Sequence, residues 1–180
     1  MYGFIAIFDG QTEQTIKDIW GELTEKNISH YSYEVENRRP HITLASYNNI
    51  KIIDFIDKMD EFYKYKPSID VTFNTIGSFL KSGALFLSPA VTKELLEFHL
   101  NHHKSFERFN NYPNSLYLPD NWIPHCTIAN RLASEKLSEA FNYCSNRTGI
   151  LYGKIKEVAL IDVSIKNKAP IIYSKVLTDK

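Results

Sequence analysis

Apolar residues follow two different spacings along this chain. Short apolar runs rich in β-branched and aromatic residues are typical of strands, whereas apolar residues repeated every three to four positions are typical of amphipathic helices. The runs predict strands at 2–8, 41–45, 69–76, 122–129, 151–165 and 171–177, and a hairpin at 79–87. The helical spacing predicts helices that start at the caps Thr12 and Ser134 and helices at 52–62 and 92–106. Because strands and helices alternate while hairpin signals are also present, we expect an α+β fold with largely antiparallel sheets.

One sequence pattern occurs twice, nearly half a chain apart. Residues 39–44 are RPHITL and residues 123–128 are IPHCTI, so both have the order x-Pro-His-x-Thr-apolar. Such self-similarity indicates two lobes of similar topology that face each other. We therefore expect residues 1–180 to form a single bilobal domain in which each lobe supplies one His-x-Thr strand. The polar stretch at 110–121 has no periodicity and is expected to be a loop.

The repeated pattern brings together the groups that phosphodiester chemistry needs. Side chains alternate across a strand, which places His41 and Thr43 on one face, and His125 and Thr127 on the matching face of the second strand. Two such strands would surround one phosphate with two imidazoles and two hydroxyls. One neutral histidine can accept a proton and the other, protonated, can donate one, since the pKa of imidazole is about 6.5. This chemistry requires neither a metal nor a cofactor.

RPHITL and IPHCTI resemble the two signature motifs of the 2H phosphoesterase superfamily, which contains 2′-5′ RNA ligases and 2′,3′-cyclic phosphodiesterases. The resemblance covers most of the chain, including the first strand, the FLSP segment before a long helix, and WIPHCTIA. It implies a bilobal, pseudo-two-fold fold with a central cleft between two mostly antiparallel sheets with flanking helices. It also implies His41 and His125 as the catalytic pair, and Thr43 and Thr127 as phosphate ligands. Hydrolases and reversible ligases share these motifs, so both activities stay open.

Two further residues are candidates for substrate binding. Tyr47 and Arg131 each lie six residues after a motif histidine. If the strands continue that far, both side chains stay on the cleft face, where Arg131 could hold a phosphate and Tyr47 could stack on a base. If the strands end earlier, both lie at the rim. Arg39 shares the parity of His41 and is subject to the same alternative.

Two other classes of function stay open. His99, His102 and His103 have the spacing of one helix face, so a metal-dependent hydrolase is conceivable. A catalytically inactive module that binds a nucleotide or an RNA end is another alternative, although binding alone does not need two proton carriers. Cys126 neighbours His125 in sequence, but strand alternation places it on the opposite face, as a buried thiol rather than a nucleophile.

Charge and composition narrow the range of partners. Lys+Arg and Asp+Glu both number 21, so the formal net charge is zero, and hydrophobic residues make up 43%. Gripping a long nucleic acid requires many phosphate contacts, so we expect a small nucleotide or an RNA end as substrate and no extended nucleic-acid surface. No apolar run reaches the roughly 18 residues of a membrane helix. Two cysteines and a start without a basic leader predict a cytoplasmic protein, and a monomer is the default expectation.

Overall fold

A computed structural model describes residues 1–110 and 115–179 of the chain. In these ranges it contains seven strands: β1 (Tyr2–Phe8), β2 (His41–Tyr47), β3 (Ile69–Gly77), β4 (Leu85–Pro89), β5 (Cys126–Ala129), β6 (Leu151–Asp162) and β7 (Ile171–Val176). The helices are α1 (Gly10–Glu25), α2 (Ile52–Tyr63), α3 (Lys93–Ser105) and α4 (Ser134–Arg147). None of the described helices is long and apolar enough to cross a membrane. Part of the loop predicted at 110–121, residues 111–114, lies outside the described residues.

The strands form one open antiparallel sheet in the order β2-β1-β6-β3-β4-β5, with β7 also paired to β6. The long strand β6 joins two halves of this sheet. Its residues 155–162 pair with β1 and its residues 157–161 with β7, whereas its residues 151–155 pair with β3. The predicted α+β class with antiparallel pairing is confirmed. The resemblance implies two sheets. In the structure the two are joined into one continuous sheet, because β6 pairs with strands of both halves.

The two faces of β1 pack into different environments. Phe4, Ala6 and Phe8 belong to the main core, which also contains buried residues of all four helices. Ile5 and Ile7 point to the other face, where they form a small apolar cluster with residues of β6. This alternation is that expected of a strand covered by helices on one side only. On this second face, Ile5 lines a cavity.

A β-bulge interrupts β2 directly after the first motif. Ile5 of β1 pairs with Thr43, but Phe4 pairs with Ala45, so Leu44 is an extra residue in the ladder. An extra residue reverses which side chains face which side of the sheet. Leu44 and Ala45 are accordingly both buried, and the alternation that starts at His41 is reversed after this point.

A second bulge occurs at the equivalent point of β5. Phe86 of β4 pairs with Thr127, but Leu85 pairs with Ala129, so Ile128 is the extra residue. Ile128 and Ala129 are both buried, as Leu44 and Ala45 are in β2. Each His-x-Thr segment is thus followed by the same irregularity, which ends the stretch of strand whose side chains share one face.

Some local predictions need correction. Helix α1 is capped by Asp9 rather than by Thr12, because the Asp9 carboxylate accepts hydrogen bonds from the Thr12 backbone N–H at 2.9 Å and from its hydroxyl at 2.8 Å. The hairpin predicted at 79–87 is present but begins earlier in the chain: β3 and β4 pair antiparallel, and residues 78–84 connect them. In α4, the large apolar side chain of Phe141 is 42% exposed although apolar residues of an amphipathic helix usually face the core. The smaller side chain of Ala140 takes the buried position.

The histidines of α3 brace the bulge of β2. The Nε2 atoms of His99 and His103 each donate a hydrogen bond to the carbonyl oxygen of Leu44 at 3.0 Å, and His99 also contacts the carbonyl oxygen of Tyr117 at 2.9 Å. A carbonyl can only accept, so these Nε2 atoms are protonated and have no lone pair for a metal. In the described part of the chain, no group of three His, Cys, Asp or Glu side chains is arranged to hold a metal ion.

His102 is part of the same buried network. Its Nε2 lies 2.6 Å from the hydroxyl of Tyr47, and its Nδ1 lies 2.9 Å from the hydroxyl of Tyr63. The ring stacks on Phe4 at 4.3 Å and on Phe106 at 4.4 Å between centroids. Both ring nitrogens are therefore occupied, and the metal-dependent alternative based on His99, His102 and His103 does not fit the structure.

These buried histidines make stability depend on pH. Burial, followed by the charges of neighbouring histidines, lowers the pKa of His102 well below its ordinary value and that of His99 to about 4. An unfolded histidine titrates near about 6.5, so between these values the unfolded chain binds more protons than the folded one. The stabilising effect is complete above about pH 6.5 and is lost as the pH falls toward 4.

We predict that Tm falls when the pH is lowered from about 7.5 to 5, measured by thermal unfolding at intervals between those values. His102→Phe should make this dependence shallower, because it keeps a stacked ring but removes one titrating group. It should also lower the free energy of unfolding at neutral pH by roughly 2–4 kcal/mol, because two buried tyrosine hydroxyls lose their partner. A wild-type Tm that is constant over this range would contradict the assignment of three buried, neutral histidines.

Candidate active site

The two His-x-Thr segments lie on the strands at the two ends of the sheet, β2 and β5, which contact each other. His41 begins β2, and His125 directly precedes β5. Thr43 and Thr127 are partly buried. The alternate residues Ile42, Leu44, Cys126 and Ile128 are buried in the core. The structure therefore divides each motif into a core face and an accessible face, as alternation predicts.

Two tryptophans hold the motifs next to each other. The indole N–H of Trp20, on α1, donates to the backbone oxygen of Thr127 at 3.2 Å. The indole N–H of Trp122, which precedes the second motif, donates to the backbone oxygen of Thr43 at 2.9 Å. Each tryptophan thus joins one half of the molecule to the motif of the other half. These cross-contacts set the separation of the two threonines.

The imidazoles are oriented by the same local geometry in both motifs. The Nδ1 atom of His41 lies 2.7 Å from the backbone oxygen of Arg39, and the Nδ1 atom of His125 lies 2.7 Å from that of Ile123. Because a carbonyl can only accept, Nδ1 carries the proton in both rings. The Nε2 atom of each neutral ring therefore keeps a lone pair. In each motif, a proline stands between the histidine and the residue whose carbonyl oxygen the histidine contacts. Its ring fixes the backbone φ, which limits the conformations that this turn can adopt.

A cavity lies beside each histidine. The one beside His41 has a volume of about 220 Å³, and the one beside His125 about 420 Å³. The first is lined by apolar residues of β1, β6 and β7 and by the segment before the first motif, including Tyr31, Arg38 and Arg39. The second is lined by Thr127 and mostly by apolar or neutral side chains, including Phe79, Tyr117 and Asn130. Each is large enough for part of a nucleotide rather than for a polymer.

The site favours neutral imidazoles. Burial lowers the pKa of His41, and the charges of Arg38 and His125 lower it further, against the opposing effect of the hydrogen bond to the Arg39 carbonyl. Burial also lowers the pKa of His125, against the effect of the Ile123 carbonyl. The two rings are close enough for one charge to affect the other, so they titrate as a coupled pair.

Two tyrosines border the threonines across the site. Burial raises the pKa of Tyr117, whose phenol interacts with the side chain of Thr43. Burial likewise raises the pKa of Tyr31, whose phenol interacts with the side chain of Thr127. Each tyrosine precedes one motif in the sequence and reaches the threonine of the other. Tyr117 lies in the stretch predicted to be a loop, whereas Tyr31 has no periodic or motif signal that would identify it.

The prediction that Tyr47 faces the cleft is wrong. Tyr47 is fully buried, and its hydroxyl contacts His102 in the core. The physical reason is the bulge at Leu44, which turns the side chains that follow it to the opposite face. Ser46 takes the accessible position and its hydroxyl contacts that of Ser115 at 3.0 Å.

The condition under which Arg131 would face the cleft, that the second strand continues as far as this residue, is not met. Strand β5 ends at Ala129, and Arg131 is an exposed residue of the following turn with a φ of 57°. Asn130, rather than Arg131, lines the cavity beside His125. Arg39, which shares the parity of His41, lines the other cavity but is bound by two carboxylates, those of Glu13 and Glu157.

Comparison with known proteins gives one family and one fold. The model of the 2′-5′ RNA ligase superfamily matches residues 9–164. Among solved structures, apo E. coli LigT superposes with a TM-score of 0.63 at 12% identity, covering 99% of this chain and 97% of LigT. E. coli LigT complexed with 3′-AMP gives a TM-score of 0.64 at 14% identity, covering 99% of this chain and 98% of that one. TT0787 of Thermus thermophilus gives 0.66 at 12% identity, with coverage of 99% and 98%. No curated protein matches the chain in sequence.

We predict that both motif histidines exist as the Nδ1–H tautomer when neutral and titrate below about pH 6.5, because burial disfavours the charged form. Long-range proton–nitrogen NMR correlations recorded between about pH 5 and 8 measure both properties. His125→Asn should raise the pKa of His41, because it removes a positive neighbour. An Nε2–H tautomer in either ring would show that the carbonyl contacts do not orient the site.

Proposed function

Because the chain belongs to the 2′-5′ RNA ligase superfamily, we propose that it is a metal-independent phosphodiesterase that processes RNA-type phosphodiesters by acid–base catalysis between His41 and His125. The observation that carries this proposal is the paired orientation of the two imidazoles. Each is held through Nδ1 by a carbonyl and has Nε2 available for proton transfer. Two equivalent proton carriers beside two threonines are the minimum needed for displacement at phosphorus.

The proposed reaction uses one histidine in each protonation state. The neutral ring accepts a proton through Nε2 from a water molecule, or from a ribose hydroxyl, as its oxygen attacks phosphorus. The protonated ring donates a proton to the departing oxygen as its bond to phosphorus breaks. Attack by water on a 2′,3′-cyclic phosphate gives hydrolysis, and attack by a 5′-hydroxyl gives a 2′-5′ linkage. The reverse reaction exchanges the two roles.

Thr43 and Thr127 supply hydrogen bonds to the non-bridging oxygens. Their hydroxyls are neutral donors, so they orient the phosphate and offset part of the charge that develops during displacement. Their spacing depends on the contacts of Trp20 and Trp122 with the backbone of the two motifs. Orientation of this kind converts a collision into a positioned reaction, which is a large share of catalytic power.

The substrate class is supported by the size of the cavities and by the charge of the chain. The cavities of about 220 and 420 Å³ flank the motifs and suit groups on either side of one phosphodiester. A chain with equal numbers of basic and acidic residues lacks the excess charge that binds long nucleic acids. Structures of E. coli LigT contain 3′-AMP, ATP or NADP+, which are small nucleotides. We therefore assign a small nucleotide or an RNA end as the substrate.

We predict that turnover persists in excess EDTA. The proposed steps use only imidazole and hydroxyl groups, and the histidines of α3 are committed to carbonyl and tyrosine contacts. The assay is hydrolysis of a 2′,3′-cyclic nucleotide before and after prolonged chelation, with a known zinc phosphodiesterase as the positive control for the chelator. Loss of activity that zinc or manganese restores would rule out the metal-independent mechanism.

We predict that His41→Ala and His125→Ala each abolish turnover in a folded protein. Each loss of a proton carrier should raise the barrier by roughly 3–6 kcal/mol, whereas Thr43→Ala or Thr127→Ala, which removes one hydrogen bond to an anion, should cost roughly 1.5–3 kcal/mol. The measurement is kcat/KM on 2′,3′-cyclic AMP and on a 2′-5′-linked diadenosine, with thermal melts to verify folding. Either histidine variant retaining more than about a tenth of the wild-type kcat would contradict the mechanism.

The pH dependence provides a separate test. The base must be neutral and the acid protonated, so kcat/KM should be bell-shaped. Because both histidines have lowered pKa values in the free protein, the maximum should lie on the acidic side of pH 7. Binding and no turnover of any phosphodiester by the wild type, at any pH from about 5 to 8, would instead favour the inactive binding module.

A further inference from the structure

Two neighbouring arginines precede the first motif, and only one of them is fully occupied by protein partners. The guanidinium of Arg39 forms hydrogen bonds of 2.7 to 3.2 Å with Glu13 and one of 3.0 Å with Glu157. Among the residues that the structure describes, Arg38 forms an ion pair with Glu34, at the longer distance of 3.7 Å. This distance is longer than that of a hydrogen bond, so the ion pair does not satisfy the N–H donors of the guanidinium. Arg39 thus has a structural role. The guanidinium of Arg38, in contrast, has N–H donors that remain available for a ligand.

Arg38 is nevertheless ordered and largely buried. Its guanidinium carbon lies 3.7 Å from the ring centre of Tyr31, so the planar group stacks on the aromatic face. The side chain is only 12% exposed, and its Nε is buried without a hydrogen-bond partner among the described residues. A buried donor without a partner is costly, and such a group needs an explanation. The unpartnered Nε shows that the described protein groups do not saturate the hydrogen-bonding capacity of this guanidinium.

The position of Arg38 relates it to both motifs. It lines the same cavity as His41, and its charge affects the titration of that ring. The tyrosine on which it stacks interacts through its phenol with the side chain of Thr127. Arg38 therefore shares a cavity with the histidine of the first motif and is linked through Tyr31 to the threonine of the second.

The charge of the site calls for a cation at this point. The two threonines are neutral donors, and the histidines are mostly neutral because their pKa values are lowered. Apart from these histidines, Arg38 and Arg39 are the cationic side chains among the described residues that line the two cavities. Fixed positive charge in a site with apolar walls stabilises a phosphoryl group as it gains negative charge. Arg39 is already neutralised by two carboxylates, so Arg38 is the group that remains.

We propose that Arg38 is a substrate-binding residue whose guanidinium fork pairs with a non-bridging oxygen of the phosphodiester held between the motifs. The proposal rests on the proposed function, because it assumes that a phosphodiester occupies this site. Arg38 would bind the phosphate together with the two threonines, as a charged group beside two neutral ones. The Tyr31 ring positions the fork, and the weak pair with Glu34 is exchanged for the phosphoryl oxygen on binding.

The test compares Arg38→Gln with the matched control Arg108→Gln. Arg108 is an exposed arginine shortly after α3, and its guanidinium donates a hydrogen bond of 3.3 Å to the carbonyl oxygen of Asp54 in α2. Two quantities are measured for each variant: kcat and KM on 2′,3′-cyclic AMP, and the Kd of inorganic phosphate by calorimetry. We expect Arg38→Gln to lower kcat/KM by about a hundredfold or more and to raise the phosphate Kd by about tenfold or more. Arg108→Gln should leave both unchanged.

A purely structural role would give a different result. If Arg38 served only to pack on Tyr31, Arg38→Gln would lower Tm and leave the phosphate Kd and kcat/KM of the folded fraction within about threefold of wild type. That outcome overturns the proposal. Should Arg38→Gln fail to fold, Arg38→Lys decides, because it keeps the charge and the aliphatic stem but loses the planar fork. A folded Arg38→Lys with at least about a tenfold loss in kcat/KM supports the fork contact, and wild-type values overturn it.

The design also separates this inference from the proposed function. If the wild type turns over neither 2′,3′-cyclic AMP nor a 2′-5′-linked diadenosine, the phosphodiesterase proposal fails. The phosphate Kd of wild type and variants still decides whether Arg38 binds a phosphoryl group. If the wild type is active, His41→Ala is inactive and Arg38→Gln behaves as wild type, the function stands and the role of Arg38 fails.

Discussion

Strands β2 and β5 lie at the two ends of the strand order, so the distance between the motifs depends on side chains that cross from one half to the other. The indole N–H groups of Trp20 and Trp122 make these contacts, with the backbone oxygens of Thr127 and Thr43. Both contacts end on the residues that would hold a phosphate. If either contact were lost, the two threonines would no longer be held at a defined separation. The other groups of the site would then no longer have fixed positions relative to them.

The bulges after the motifs have a second effect on the same site. The extra residue, Leu44, ends the stretch of β2 whose alternate side chains are accessible. It also frees the Leu44 carbonyl oxygen, which in a regular strand would accept a hydrogen bond from the neighbouring strand. His99 and His103 satisfy that carbonyl from α3. The buried histidines thus contribute to the active site indirectly, by holding the strand that carries His41. This arrangement explains why histidines spaced for a metal on one helix have no metal-binding geometry.

The net charge of the whole chain is zero, but the candidate site contains charged and titratable side chains. Burial keeps the motif histidines mostly neutral near pH 7, and the carbonyls of Arg39 and Ile123 select the same tautomer in both. Such pre-orientation lowers the cost of placing a base and an acid on opposite sides of one phosphorus. The similarity to E. coli LigT at 12% identity shows that the fold tolerates extensive replacement of residues. The proposed function depends on the geometry of the two motif strands rather than on overall composition.

The sequence by itself determined the α+β class, the face of each motif and the placement of its apolar residues in the core, because these depend on local periodicity and strand alternation. It could not determine which way Tyr47 faces, because the one-residue bulge in β2 is decided by pairing with β1. Nor could it distinguish Arg38 from Arg39. Their difference depends on Glu13 and Glu157, which are distant in sequence and reach Arg39 only when the chain is folded.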